Sequence, residues 1–289
     1  MISILPKDIS TGQLHGYLLG AVSPRPICFA STVDANGNVN LSPYSFFNVF
    51  SANPPVMIFS PARRVRDNTT KHTLENVLET KEVVINIVSY EMVQQMSLSS
   101  TEYPKEVNEF VKAGFTEVAS DIVSPPRVAE SPAQFECKVN DVIALGKEGG
   151  AGNLVICEVV KLHLNEKILD ADGRVDPSKI DTVARMGGNW YSRAKSGMFE
   201  VPKPLSTLGM GVDALPEDIR TSTVLTGNDL GMLGNVESLP GSDEIRTFLE
   251  ANEELRVLVR SGNKNEIHIK AQELLIHNKV KEAWMLLLG

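Results

Sequence analysis

The chain has 289 residues, 42 % hydrophobic and 22 % charged, with 36 acidic against 28 basic side chains and a net charge of −8. That profile is ordinary for a folded globular protein and excludes a disordered or low-complexity chain. The acidic balance also argues against broad nucleic-acid or anionic-membrane binding, which needs an extended basic face.

A chain of this length can form one large domain or one domain with a substantial extension. The first residues, "MISILPKDIS", lack a basic segment followed by an apolar run, and no stretch of about 18 uninterrupted apolar residues follows, so a cytoplasmic location is expected. Cys28, Cys137 and Cys157 are odd in number and have no CxxC spacing, as expected of reduced thiols.

Residues 27–41 read as two β-rich runs, "ICFASTV" and "NVNLS", joined at "DANG", where Asn36 and Gly37 suit the positive φ of a hairpin turn. In "NLSPYSFFNVFSANPP" (40–55), small polar residues alternate with Tyr44, Phe46, Phe47 and Phe50. Phe47 and Phe50 read as core strand positions. Pro43 is expected to interrupt the ladder after Ser42, freeing backbone groups for a flat polar ligand. "PPVMIFS" (54–60) and "EVVINIVS" (82–89) read as buried strands.

Between those strands lies "RRVRDNTTKHT" (63–73), a basic island that opposes the charge of the whole chain. It runs into "TKHTLENVLET" (70–80), where Leu74, Val77 and Leu78 form a helical stripe and Thr70 is the expected N-cap. A helix N-terminus offers unpaired N–H groups and a positive dipole end. Thr69, Thr70 and Thr73 add hydroxyls, and Lys71, Arg66 and Arg64 add charge. A phosphate monoester matches that inventory. A solvated loop whose charges balance nearby acids is the other reading, and spacing alone leaves both open. His72 is likewise either a phosphate donor or a helix-surface residue.

Two short helical patches follow, "YEMVQQMS" and "KEVNEFVKAG", the second closing at Gly114. "AQFECKVNDVIALG" and "GNLVICEVVKLHLNE", separated by "KEGGAG", read as an antiparallel pair. Strands in hairpins with helices inserted between them imply a mainly β fold, an antiparallel barrel or sheet with peripheral helices, rather than a doubly wound parallel sheet.

Near residue 200 the texture becomes Gly- and Pro-punctuated, which sets expected domains of 1–200 and 201–289. "GMGVDALP" and "TGNDLGMLG" read as turns. A tail of two helices is expected from Ser242, the first with a stripe of Ile245, Phe248 and Leu249, the second, after "SGN" (261–263), carrying Leu274, Leu275 and Trp284. Such stripes usually pack on their own domain, although an interaction role for the tail is also open.

Several chemistries lack their signatures. There is no GxSxG elbow, Walker loop or GxGxxG after a strand. His15, His163, His268 and His277 have no HxxxH or HxH partner, and "DADGRVD" (170–176) places Gly173 too early for a calcium loop, so no metal site is expected and that segment reads as a turn. Cys137 and Cys157 read as small buried hydrophobes. No catalytic side chain can be named.

The ordered set "SPRPICFASTVDANGNVNLSPYSFFNVFSANPPVMIFSP", "KHTLENVLETKEVVINIV", "SPAQFECKV" and "RMGGNWYS" resembles the flavin-reductase-like FMN-binding split-barrel family over roughly residues 10–195. The resemblance implies a Greek-key type split barrel, built as a homodimer, with FMN in a groove near the dimer interface and the extension beyond residue 200 outside the common core. It implies an oxidoreductase passing electrons from NAD(P)H through FMN to a small-molecule acceptor. By the same resemblance Ser42, Pro43, Tyr44, Ser45, Phe46 and Phe47 line the ring and ribityl chain, and Ser31 and Thr32 reach the ring's polar edge. Ser60, Thr70, Lys71 and His72 surround the phosphate, joined by Arg66, Asn68 and Thr73. Where the family often has Lys-Asp-Thr, this chain has Lys71-His72-Thr73, which replaces an acid with a donor. "RMGGNWY" (185–191) matches a segment near the flavin, or is a glycine turn packed by Trp190. The competing function is a non-catalytic module that binds FMN or another phosphorylated ligand.

Overall fold

The structure, a computed structural model, describes residues 1–201, 203–204 and 207–289; Pro202, Leu205 and Ser206, in the Gly- and Pro-punctuated stretch, lie outside the described residues. The chain divides into two compact units, Met1–Phe199 and Glu200–Gly289.

The first unit opens with helix α1 (Thr11–Ala21), started by a Ser10–Gln13 capping box. The strands then follow as β1 (Arg25–Pro26), β2 (Cys28–Val33), β3 (Val39–Tyr44), β4 (Phe47–Ala52) and β5 (Pro55–Phe59). Helix α2 (His72–Thr80) leads into β6 (Glu82–Ile87), α3 (Val93–Leu98) and α4 (Glu109–Ala113). After the short pair β7 (Glu117–Val118) and β8 (Arg127–Val128) come the long β9 (Ala133–Ala144) and β10 (Asn153–Leu164), then α5 (Pro177–Ile180), β11 (Val183–Arg185) and β12 (Tyr191–Arg193).

Seven strands form one antiparallel sheet in the order β3-β2-β6-β9-β10-β5-β4. Alternate residues of its five central strands enter one cluster: Cys28 and Ala30, Val83 and Ile85, Cys137 and Val139, Val155 and Cys157, Met57 and Phe59. Tyr44 and Phe47, from the two edge strands, join the same cluster. A sheet whose first and last strands share one core has curled on itself, and the fold is the mainly β split barrel that the hairpin pattern implies. Leu74 and Val77 of α2 pack into this core. Leu78 instead faces solvent, and Thr73 and Asn76 complete the buried face of the helix.

A second cluster covers the other side of β2 and β3, where Ile27, Phe29 and Leu41 meet Met92, Met96, Phe110, Phe115 and Val128. All of β2 is therefore buried. In the turn between β2 and β3 only Gly37 takes positive φ, at 86°. Asn36 does not, because the Asp34 carboxylate accepts from the N–H groups of Asn36 and Asn38 and closes the turn itself. Gly114 ends α4 at φ 70°, as its position implied. Residues 170–176 form a turn in which Asp170 Oδ1 accepts from Asp172 and Arg174 N–H.

Two strand expectations change. Pro43 does not end the ladder: it pairs with Phe29, and Tyr44 pairs with Cys28. β3 is an edge strand, so the missing N–H of proline costs no interior hydrogen bond. Phe50 is 64 % exposed rather than core, because the register slips between Val49 and Ser51 and the extra residue turns outward.

The second unit comprises α6 (Glu217–Arg220), α7 (Gly227–Gly234), α8 (Ser242–Ala251), α9 (Glu253–Ser261), α10 (Lys264–Ile276) and α11 (Val280–Leu287). "TGNDLGMLG" is thus a helix and not a turn: Thr226 and Asp229 form a capping box that offsets the glycines, and Leu233 is fully buried. Each expected tail helix is split, the first at Asn252 and the second around Asn278, which has φ 57°. Gly241, not Ser242, is the N-cap of α8. Trp284 anchors the core of this unit and donates its indole N–H to Leu233 O at 3.1 Å.

Candidate functional site

The basic island is shaped first by backbone contacts. Arg63 N–H donates to Ala151 O at 2.8 Å, and Gly150 N–H donates back to Arg63 O at 2.9 Å. The turn between β9 and β10 must lie this close. A Cβ on Gly152 would sit 2.7 Å from Ser60 Oγ, and one on Gly149 would sit 3.0 Å from the carbonyls of Arg64 and Val65. Asn68 takes the left-handed conformation at φ 58° and is clasped by Arg63, whose Nε donates to Asn68 Oδ1 at 2.6 Å and Nη2 to Asn68 O at 2.7 Å. Arg63 and Asn68 therefore hold the loop's shape.

The other two arginines are engaged as well. Arg64 Nε pairs with Glu102 at 3.1 Å while Nη1 donates to Thr69 Oγ1 and Thr70 O. Arg66 pairs with Glu102 at 2.8 Å and with Asp67 at 3.1 Å. Both of these charges are thus paired with nearby acids.

Lys71 is different. It caps the start of α2 through its backbone, its side chain is half-buried with Nζ 5.0 Å from the centre of the Tyr44 ring, and among the described residues no carboxylate pairs with it. Burial and the nearby Arg64 push its pKa below the ordinary lysine value, with Glu102 opposing. Among the described residues the N–H groups of His72 and Thr73, in the first turn, also have no hydrogen-bond acceptor. Thr70 is not the N-cap: its hydroxyl donates to Glu75 at 2.7 Å, and no side chain caps the helix. The helix end thus carries a cation and two unused donors, and its neighbours Arg66, Thr70 and His72 line an open cavity of about 680 Å³ whose wall does not include Lys71.

A buried relay ties this helix end to β3. Tyr44 Oη donates to Thr73 Oγ1 at 2.8 Å, Thr73 Oγ1 donates to Asn40 Oδ1 at 2.6 Å, and Asn40 Nδ2 donates to Glu109 Oε1 at 3.0 Å. Glu109 also accepts from Leu41 N–H, yet burial leaves its pKa above the usual carboxylate value. Burial likewise raises the Tyr44 hydroxyl. On the outer side of β3, Pro43, Tyr44 and Ser45 line a second cleft of about 320 Å³ with Arg185, Asn189 and Tyr191. Arg185 stacks 4.7 Å over the Tyr191 ring.

The structure thus brings His72, Thr70 and Arg66 together at one cavity and Pro43, Tyr44 and Ser45 at another, with the Lys71 ammonium over the Tyr44 ring rather than on the first cavity's wall. It removes others from side-chain contact. Ser31 and Thr32 are fully buried, Thr32 accepting from Asn76, because both faces of β2 are covered. The hydroxyl of Thr73 is used within the relay, Asn68 is held by Arg63, and Phe47 is core. Ser60 is buried beside Gly152, Ser42 is partly buried on β3, and Phe46 is exposed with its ring edge toward His15. Trp190 is 76 % exposed and does not pack the "RMGGNWY" turn; Gly187, 3.2 Å from Gly20 Cα at its Cβ position, makes the close approach instead. Asn40, Glu109, Glu75 and Glu102 were not singled out in the sequence. Only the glycine cluster at 149–152 gave a local sign that another segment supports the island.

One further cluster joins residues distant in sequence. Asp121, Glu136 and His163 bring ligand atoms within 4.8 Å of one another. Its central carboxylate is already saturated: Glu136 accepts from the N–H groups of Asp121, Ile122 and Val123 and lies 2.7 Å from His163 Nε2. Burial works to raise its pKa, but these donors hold it at about 2.

Residues 20–179 match the flavin reductase like domain. The chain is 38 % identical over 188 residues to an uncharacterized protein of Aquifex aeolicus, covering 65 % of this chain and 93 % of that one. Its fold is similar to nitrilotriacetate monooxygenase component B from Bacillus cereus, with a TM-score of 0.65 and 30 % identity, over 70 % of this chain and 98 % of that one. It is also similar to 2-nitrobenzoate 2-nitroreductase from Pseudomonas fluorescens, with a TM-score of 0.64 and 25 % identity, over 73 % and 100 % respectively. No described helix is long and apolar enough to cross a membrane.

Proposed function

This chain belongs to the flavin reductase like family, and on that premise we propose that it is a flavoprotein oxidoreductase that binds FMN and passes electrons from NAD(P)H to a small-molecule acceptor. The observation that carries the reading is Lys71, a half-buried ammonium with no carboxylate partner among the described residues, beside the unused N–H groups of His72 and Thr73. A phosphate monoester carries about −1.5 to −2 charge and three acceptor oxygens, which is what such a set lacks. The residues present therefore fit the phosphate of FMN.

When bound, FMN supplies the two-electron chemistry. The chain's own residues bind and orient. Lys71, His72 and the first-turn amides of α2 hold the phosphate, and Pro43, Tyr44 and Ser45 bound the cleft that takes the ring. The Tyr44–Thr73–Asn40–Glu109 relay keeps these two parts at a fixed separation. A small-molecule acceptor fits the similarity to a nitroreductase and a monooxygenase component.

A homodimer is part of the proposal. β4 is an edge strand whose Val49 and Phe50 are exposed, and a second copy of the chain would cover that apolar edge. Three buried free thiols suit a reducing compartment, so the cytoplasm is the proposed location.

The test is a visible spectrum of the protein with FMN, followed by anaerobic addition of NADH or NADPH. Bound FMN bleached by one of the nucleotides is the expected result. Bound FMN that neither nucleotide reduces would leave a non-catalytic FMN module, and failure to take up FMN would overturn the proposal.

A further inference from the structure

We infer that the cleft beside β3 recognises a small planar organic carboxylate through Arg185, and that this carboxylate belongs to the electron acceptor. The binding site stands on the residues below, whereas its assignment to the acceptor rests on the flavin reading above.

The two cavities differ in their acids. Asp67, Glu75 and Glu102 line the one at the basic island, but no carboxylate lines the cleft of about 320 Å³. Its lining cation, Arg185, is half-buried and pairs with no acid among the described residues. Nη2 donates one of its two N–H groups to Gly188 O at 2.8 Å, and Nε and Nη1 have no acceptor among the described residues. The second Nη2 N–H therefore forms an open fork with Nε or with Nη1. The Tyr191 ring, 4.7 Å away, covers one face of the guanidinium, which fixes its plane and leaves the donors along its edge.

A second guanidinium sharpens the imbalance. Arg25 is only 6 % exposed and is spent on backbone: Nη1 donates to Leu19 O at 2.6 Å and Val22 O at 2.5 Å, and Nη2 to Met186 O at 3.0 Å. Its Nε lies 3.5 Å from Oγ of Ser45, on the cleft wall. No acid among the described residues pairs with it either, and burial together with the charge of Arg185 pushes its pKa below the ordinary arginine value. An anion on Arg185 relieves that repulsion. A single open fork suits the two oxygens of a carboxylate, whereas a phosphate or pyrophosphate needs further cations. Ile27, Met96, Tyr44 and Tyr191 supply apolar surface for the body of a flat acid, and the volume limits that acid to a small one.

Calorimetric titration of the full chain, with and without added FMN, uses benzoate, its uncharged isostere benzamide, and ADP as a pyrophosphate without a nicotinamide. The wild type is expected to bind benzoate at least about tenfold tighter than benzamide, Arg185→Gln to bind the two alike, and Arg185→Lys to keep part of the preference. ADP affinity is expected to be the same in all three. Equal affinities for benzoate and benzamide in the wild type, an undiminished preference in Arg185→Gln, or a loss confined to ADP would overturn the inference. Benzoate is also expected to shift the visible spectrum of bound FMN; tight benzoate binding that leaves this spectrum unchanged would overturn the assignment to the acceptor. Failure to take up FMN removes the flavin reading and the acceptor assignment, while the benzoate preference of the chain alone still decides the carboxylate site.

Discussion

Two charged clusters in the same unit treat their charges in opposite ways. At Glu136 every oxygen is answered by the chain itself, through three consecutive N–H groups and His163. At Lys71 a half-buried cation stands beside an arginine and two free helix-end donors without an answering carboxylate among the described residues. Both are perturbed from ordinary titration, in directions that report the difference: Glu136 is stabilised as an anion, whereas Lys71 is destabilised as a cation. A saturated cluster contributes to stability, and the one left with unused bonding capacity is where the proposed phosphate would bind.

The contrast breaks most visibly at Glu136. Glu136→Gln is expected to destabilise the protein by about 3 kcal/mol, because a fully buried charged acceptor serving several donors is lost. Denaturant unfolding measures this. With a carboxyl held at about 2 against an ordinary 4.5, the native state binds fewer protons than the unfolded one between those values. Its contribution is therefore complete above about pH 4.5 and disappears as pH falls toward 2, and the variant is expected to show a shallower acid limb of stability.

Lys71→Met is expected to do the reverse, leaving stability unchanged or slightly raised while weakening FMN binding by about 1.5–3 kcal/mol, roughly 10- to 150-fold. Because the pKa of Lys71 lies below the ordinary 10.5, affinity for FMN is expected to decline with rising pH before that value is reached, and the variant to lose this alkaline limb. A pH series of binding isotherms checks both. Thr73→Val tests the relay between the two clefts. It is expected to cost about 1–2 kcal/mol of stability, by stranding Tyr44 Oη and Asn40 Oδ1, with the change in melting temperature as readout. The smallest effect is expected at Arg66, which is exposed and already paired: Arg66→Gln should change FMN affinity by less than about twofold.

Much of the fold was legible because its signals are local. The "DANG" hairpin, α2, the Gly114 cap and the β9–β10 pair all follow from short-range spacing and turn residues. The helix at 227–234 was missed because its glycines outweighed a capping box, and the outward Phe50 because a one-residue bulge leaves no local mark. At the site, residue types identified the island, but not which of its charges are free. Arg64 and Arg66 are answered by Glu102, more than thirty residues away in the chain, and Thr73 by Asn40 and Tyr44 across the barrel. Only the folded contacts separate Lys71 from the basic residues around it.

The most direct measurement compares FMN with riboflavin, which lacks only the phosphate, on the wild type and on Lys71→Met. The wild type is expected to bind FMN at least about tenfold more tightly than riboflavin, and the variant to bind the two alike. Equal affinities in the wild type, or an undiminished preference for FMN in the variant, would contradict the account.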